Sequence, residues 1–104
     1  MANAALVVAI AVSETGYGPG IVNFDCGQAA TYMMLEAFDK GIASDVARMG
    51  DEATVKTALN LPDDVECHWA ISFGYPAQEE MMSAPPKLGG RKSLDEVVRW
   101  EKWE

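Results

Sequence analysis

The segment from Cys26 to Lys40 constrains the fold most, because its apolar side chains cover nearly the whole circumference of a helix. A helix of this kind has no polar face to turn towards water, so we expect it to lie at the centre of the molecule. Asp25 and Gln28 have the spacing of a capping box, which predicts that the helix begins there. Lys40 suits the negative end of the helix dipole, and Gly41 predicts the stop.

Two apolar segments on either side of this helix have the features of β-strands. Ala4 to Val12 is an unbroken apolar run with many β-branched side chains, which predicts a strand covered on both faces. Residues 67–73 predict a second strand, whose alternation places three large side chains on one face: Trp69, Ile71 and Phe73. His68 points the other way, and we interpret it as a partly buried packing residue.

The segment between the helix and the second strand predicts a weaker strand and a short helix. Residues 42–47 are extended in character. Gly50-Asp51 opens a second helix, and Pro62 ends it because proline cannot continue a helix and restricts the residue before it.

Three further stretches connect or follow these elements. Residues 13–23 are rich in glycine and predict a loop, and residues 77–90 predict a long polar loop. Ser93 and Glu96 form a second capping-box pattern before a C-terminal tail that carries Trp100 and Trp103.

The order of elements predicts a single domain over residues 1–104, of the α/β (α+β) class, in which a small mixed sheet packs on a central buried helix. Two or three strands alone are marginally stable, so we expect a second copy of the chain to complete the sheet. If one face of the helix over residues 26–40 were in contact with water, the exposed apolar surface would exceed what soluble monomers usually tolerate. The sequence therefore predicts an obligate homodimer.

Charge and cysteine content exclude several classes of function. A net charge of −8 disfavours a nucleic-acid partner, because binding to phosphates needs clusters of lysine and arginine. No lysine or arginine precedes the apolar run that begins at Ala4, and that run is too short to span a bilayer, so we expect a cytoplasmic protein without a membrane segment. Cys26 and Cys67 belong to no metal-binding pair, so no metal site is expected.

Five short motifs, in order and with natural spacing, resemble the C-terminal half of the nitroreductase family of FMN-dependent flavoproteins. They are Asp25-x-x-x-Ala29 with Leu35-x-Ala37, Gly41-Ile42-Ala43-Ser44, Leu59-Asn60-Leu61-Pro62, Gly74-Tyr75-Pro76, and Arg91-x-Ser93-Leu94-x-Glu96-Val97-Val98 followed by Trp103. The resemblance implies a nitroreductase-like fold and an activity that takes hydride from NAD(P)H, through FMN, to a quinone or a nitroaromatic compound.

The resemblance also implies the cofactor-binding residues. Arg91, with Lys87 as a helper, would contact the flavin phosphate, and Met49 and Gly50 would present backbone to the isoalloxazine ring. The flavin itself carries the hydride chemistry, so no catalytic side chain is assigned. In the family the C-terminal segment joins the partner subunit, which implies that residues 91–104 embrace a second copy of this chain.

One feature of the family is missing from this sequence. Family members usually open with an arginine-rich segment that grips the flavin phosphate, and no such segment precedes Ala4. We therefore expect weak or absent FMN binding by this chain. The alternative hypothesis is a small dimeric binding or interaction module that keeps the nitroreductase fold and has no enzymatic activity.

Overall fold

The computed structural model describes residues 3–13, 17–85 and 90–103. In chain order the elements are β1 (Leu6–Ser13), α1 (Pro19–Asp39), β2 (Ala43–Arg48), α2 (Glu52–Leu59), β3 (Val65–Gly74), a 3₁₀ turn (Glu79–Met82) and α3 (Leu94–Val97). This α+β arrangement confirms the predicted order of strand, helix, extended segment, helix and strand.

The three strands form one sheet in the order β1-β3-β2, with β3 in the middle and both pairings antiparallel. The prediction of a mixed sheet is therefore wrong for the described residues. Ile10 lies opposite Trp69 and Ala11 opposite Cys67, so β3 carries an extra residue, His68, at this point. A bulge of this kind turns a side chain out of the regular alternation.

Helix α1 begins seven residues earlier than the sequence predicts, at Pro19 rather than Cys26. Gly18 is its N-cap and Pro19 lies in its first turn, so Asp25 and Gln28 lie inside the helix and form no capping box. The fixed φ of proline suits the first helical position, where its missing N–H costs nothing. The glycines around Pro19 conceal this start, because glycine is typical of loops.

The description of α1 as a buried helix is wrong for a single chain. Ala37 is the one buried residue of α1. The side chains towards the sheet are half-buried, and they recur with helical spacing: Val22, Cys26, Ala30 and Met33. The opposite face is apolar but exposed, so the all-round apolarity of the sequence corresponds to two apolar faces, of which this chain covers one.

The ends of the helices follow the sequence prediction more closely. Lys40 is the C-cap of α1, and Gly41 follows with a φ of 72°, in the left-handed region that favours glycine. Asp51 is the N-cap of α2 and accepts a hydrogen bond of 2.9 Å from the backbone N–H of Thr54. Ser93 and Glu96 form the capping box of α3.

The core lies on both faces of the central strand. The neighbours Ala70 and Ile71 of β3 are fully buried and point to opposite faces of the sheet, Cys67 is buried as well, and Val55 is the buried residue of α2. Strand β1 is less covered than the sequence predicts, since Leu6 and Val7 are 57% and 43% exposed. Cover on both faces of β1 therefore does not come from the described part of this chain.

Candidate functional site

Met49 and Gly50 form the turn that leads from β2 into α2. The N–H of Met49 donates to the carbonyl of His68 at 2.8 Å, which continues the pairing of β2 with β3 for one more residue. That N–H is therefore not available to a ligand. Gly50 is exposed, and its N–H takes no backbone partner among the described residues.

The space next to Gly50 is open, because a Cβ placed there would meet nothing within 4 Å. A flat ligand can therefore approach the backbone at this turn without a clash. The N-terminus of α2 is a different environment: Asp51 caps it with a carboxylate and Glu52 adds a second acidic group. Hydrogen bonds from the backbone N–H and the hydroxyl of Thr54 hold the pKa of Asp51 below its usual value.

Arg91 lies in an extended segment just before α3, and its side chain is exposed. It forms no ion pair with any residue of the described ranges. Lys87 lies outside the described residues. Of the four predicted cofactor-binding residues, Met49 and Gly50 are thus brought together by the β2–α2 turn, while Arg91 belongs to a separate segment.

His68 is exposed, which corrects its interpretation as a packing residue. The bulge in β3 turns it outwards, and its Nε2 lies 2.9 Å from a carboxylate oxygen of Glu66. Cys26 is half-buried and Cys67 buried; neither forms a disulfide, and the Cys67 thiol lies 3.6 Å from the backbone carbonyl of Trp69. No group of three or more histidine, cysteine, aspartate or glutamate side chains in the described ranges is placed to hold a metal ion.

A stripe of large apolar side chains runs along the exposed side of α1, and we call it the outer stripe. Its members lie three or four residues apart in most steps and are between 55% and 68% exposed: Ile21, Phe24, Tyr32, Leu35 and Phe38. One of them, Ile21, falls in the segment that the sequence predicts to be a loop, and Phe24 lies just before the predicted start of the helix. A sequence prediction in which the helix begins at Pro19 would include every position of the outer stripe.

The C-terminal tail is also uncovered. Trp100 and Trp103 are 85% and 80% exposed, and the guanidinium of Arg99 lies 5.8 Å from the centre of the Trp103 ring. This cation–π contact holds the last turn together but buries little surface. No described helix has the length and apolarity to cross a membrane.

Solved structures match this chain, although no family model and no curated protein does. An FMN and NADPH-dependent nitroreductase, NfnB, from Sphigopyxis sp. strain HMH matches with a TM-score of 0.75 and 26% identity, over 96% of this chain and 44% of that protein. This chain has a nitroreductase-like fold.

Two further structures agree with this assignment of the fold. A nitroreductase family protein from Clostridium difficile 630 matches with a TM-score of 0.69 and 23% identity, over 96% of this chain and 61% of that one. The nitroreductase family protein from Streptococcus pneumoniae TIGR4 matches with a TM-score of 0.60 and 22% identity, over 80% of this chain and 40% of that one. The nitroreductase-like chain thus spans less than two thirds of the length of each of these structures.

Proposed function

We propose that this chain is part of an FMN-dependent oxidoreductase of the nitroreductase type, which transfers hydride from NAD(P)H to a quinone or nitroaromatic acceptor in the cytoplasm. The observation that carries the proposal is the fold match to an FMN and NADPH-dependent nitroreductase over 96% of this chain. When bound, FMN supplies the hydride chemistry, and the protein positions it and excludes competing reactions.

The β2–α2 turn fits the ring of a flavin. Its open space at Gly50 admits a flat group close to the backbone, and the Gly50 N–H remains free to donate to a ring oxygen or nitrogen. The Met49 carbonyl shares a trans peptide unit with this N–H and points the opposite way, so Gly50 would supply the hydrogen bond and the Met49–Gly50 peptide plane would contact the ring. Backbone contacts of this kind need no particular side chain at either position.

The described residues fit the phosphate of FMN less well. Asp51 and Glu52 place negative charge at the N-terminus of α2, so that helix end does not attract a phosphate. Arg91 is exposed and unpaired with any described acidic group, and its planar guanidinium suits two phosphate oxygens. Because Arg91 is the one described arginine assigned to the phosphate, and the chain carries a net charge of −8, we expect weak FMN binding by this chain.

The test is a titration of the purified chain with FMN, followed by flavin fluorescence and calorimetry. We expect a dissociation constant above about 1 µM, and Arg91→Ala should weaken binding by about tenfold, because a charge-assisted hydrogen bond is lost. Arg99→Ala is the matched control, since the Arg99 guanidinium already donates to the carbonyls of Asp95 and Val98, at 3.2 Å each. A sub-micromolar dissociation constant, or equal effects of the two substitutions, would contradict the assignment.

The activity is tested at saturating FMN, by oxidation of NADH or NADPH in the presence of a quinone. Oxidation above the rate of free FMN supports the oxidoreductase. The alternative is a small dimeric binding module without enzymatic activity, which the exposed outer stripe of α1 favours. Stable FMN binding without any NAD(P)H oxidation would reject the enzyme and leave this alternative.

We further propose that a second copy of the chain covers the outer stripe. Five large apolar side chains lie on one exposed helix face, and an apolar patch on the surface of a soluble protein is a frequent site of association. A two-fold axis across α1 would bring two such stripes together and bury both. The tail after Arg91 would then reach the other copy, with Trp100 and Trp103 as anchors, because tryptophan is enriched among interface residues that dominate binding.

A further inference from the structure

A cavity of about 410 Å³ lies between the N-terminal half of α1 and the sheet. Ile10, Val46 and Trp69, one from each strand, form its floor. Helix α1 forms its roof and contributes mostly small side chains: Asn23, Cys26, Gly27 and Ala30. Its volume falls within the range of pockets that hold small molecules.

The roof of this cavity carries a glycine that packing within the chain does not require. A Cβ at Gly27 would meet nothing within 4 Å, so the glycine is not there to allow a close approach of backbone. Glycine inside a helix nevertheless costs about 0.5–1 kcal/mol relative to alanine. The absence of a side chain at Gly27 therefore leaves space in the cavity and lowers the stability of the helix, and no described contact offsets this loss.

The lining specifies the chemistry of an occupant. No lining residue carries a charge, so the cavity does not stabilise an ionic ligand. Trp69 is 42% exposed and offers an indole for stacking against a flat ring. Asn23 makes no side-chain hydrogen bond within the described residues, so its amide can pair with one polar atom of a ligand.

We infer that this cavity binds a neutral, flat aromatic molecule of one or two rings that carries one hydrogen-bonding group. The site is separate from the β2–α2 turn, and its roof faces away from the outer stripe of α1. Ligand binding in this cavity therefore requires neither bound FMN nor the homodimer. The ring stacks on Trp69, and its polar atom lies at the Asn23 side of the cavity.

The test uses 2-naphthol as the probe and follows the indole N–H resonance of Trp69 by NMR, assigned through its loss in Trp69→Phe. We expect a saturable shift of this resonance. Naphthalene-2-sulfonate, which has the same rings and a negative charge, should bind at least about tenfold more weakly, because no lining group compensates its charge.

Two leucine substitutions provide the matched pair. Ala30 lines the cavity, whereas its neighbour Ala29 is exposed on α1. Ala30→Leu should weaken 2-naphthol binding by about tenfold or more by filling the space, and Ala29→Leu should leave it within about twofold. If Ala30→Leu fails to fold by circular dichroism, Gly27→Leu takes its place, since the space beside Gly27 is open.

Three results would overturn the inference. They are the absence of any saturable Trp69 shift, equal binding by the Ala29 and Ala30 variants, and a Trp69 resonance that changes with protein concentration but not with the probe. The last result would mean that a second copy fills the cavity. None of these outcomes bears on FMN binding, which is measured separately.

Discussion

Gly41 and Asp51 fix the two ends of the segment that carries β2. Gly41 adopts a φ of 72°, which side chains with a Cβ rarely accept, and this lets the chain leave α1 and enter β2. Asp51, which directly follows Gly50, is the N-cap of α2, and its carboxylate accepts a hydrogen bond from a backbone N–H of the first turn. The position of the β2–α2 turn thus depends on the backbone conformation of Gly41 and the helix cap at Asp51, neither of which is proposed to contact a ligand.

Replacement of Gly41 by alanine should destabilise the chain by about 1–2 kcal/mol, because alanine pays a steric penalty in the left-handed region. Gly50→Ala is the control, since Gly50 has no positive φ and its surroundings are open. Urea denaturation followed by circular dichroism measures both variants. Equal midpoints for the two variants would show that the conformation of Gly41 is not needed.

Replacement of Asp51 by alanine should lower the melting temperature at neutral pH by about 5 °C, because α2 loses its N-cap. Asparagine caps almost as well as aspartate, so Asp51→Asn should remain close to the wild type. Thermal unfolding at pH 7 checks both.

The effect of Asp51 should also depend on pH. Because its pKa is lowered in the folded chain, its contribution is present above the unfolded pKa and is lost as pH falls through the folded value. The difference in urea midpoint between wild type and Asp51→Ala should be constant from about pH 5 to 7 and shrink below about pH 4. A difference that persists unchanged to pH 2 would contradict the assigned hydrogen bonds.

At the scale of elements, α1 is a helix with two apolar faces and a sheet that covers one of them. The inner face packs towards β2 and the core, and the outer stripe faces water. Helix α1 carries few polar side chains. Its Glu36–Lys40 ion pair of 2.7 Å joins exposed side chains, and such pairs add little stability. The apolar character of α1 therefore points to association rather than to the stability of one chain.

A charge placed in the outer stripe should prevent this association. Leu35→Glu is expected to shift the chain to a monomer, because burial of an unpaired carboxylate at an interface is strongly unfavourable. Ala29→Glu adds the same charge to an exposed position of α1 outside the stripe and should remain dimeric. Sedimentation velocity of both variants distinguishes the two outcomes, and dimers of equal stability would exclude the stripe as the interface.

Removal of residues 99–104 should weaken the dimer or abolish folding, because the tail loses both tryptophan anchors. The concentration at which the dimer dissociates, measured by fluorescence-detected sedimentation, should rise by at least about tenfold. The double substitution Arg99→Ala and Lys102→Ala, which keeps both tryptophans, is the control. An unchanged dissociation constant for the truncated chain would leave the tail outside the interface.

The sequence predicted the elements whose signals are local. The run Cys67 to Phe73 and the pair Asp51 and Pro62 mark β3 and α2 correctly. The start of α1 was missed because glycines surround Pro19, and the exposure of His68 was missed because a bulge breaks strand alternation. Both errors arise where the backbone departs from the regular period.

The candidate site was less accessible from sequence. Met49, Gly50 and Arg91 were identified through the family resemblance alone, since an exposed glycine turn and a loop arginine carry no distinctive local pattern. The cavity below α1 was not foreseen, because it depends on how the helix crosses the sheet. The sequence signal at this cavity is Gly27, a glycine inside an otherwise strong helix, and glycine at such a position has several causes.

At the scale of the whole molecule, three apolar surfaces stand out as uncovered among the residues that the structure describes. These are the outer stripe of α1, the exposed part of β1 that includes Leu6 and Val7, and the tail with its two tryptophans. The described residues of one copy cover none of them, whereas association with a second copy can cover the stripe and the tail together. We therefore propose that this chain is stable as a dimer.

Light scattering coupled to size exclusion tests that claim most directly, on the purified chain at micromolar concentration and physiological salt. We expect a particle of about 22 kDa, twice the 11.2 kDa of one chain, whose mass does not change on tenfold dilution. A folded particle of one chain mass, with a cooperative thermal transition at the same concentration, would contradict it.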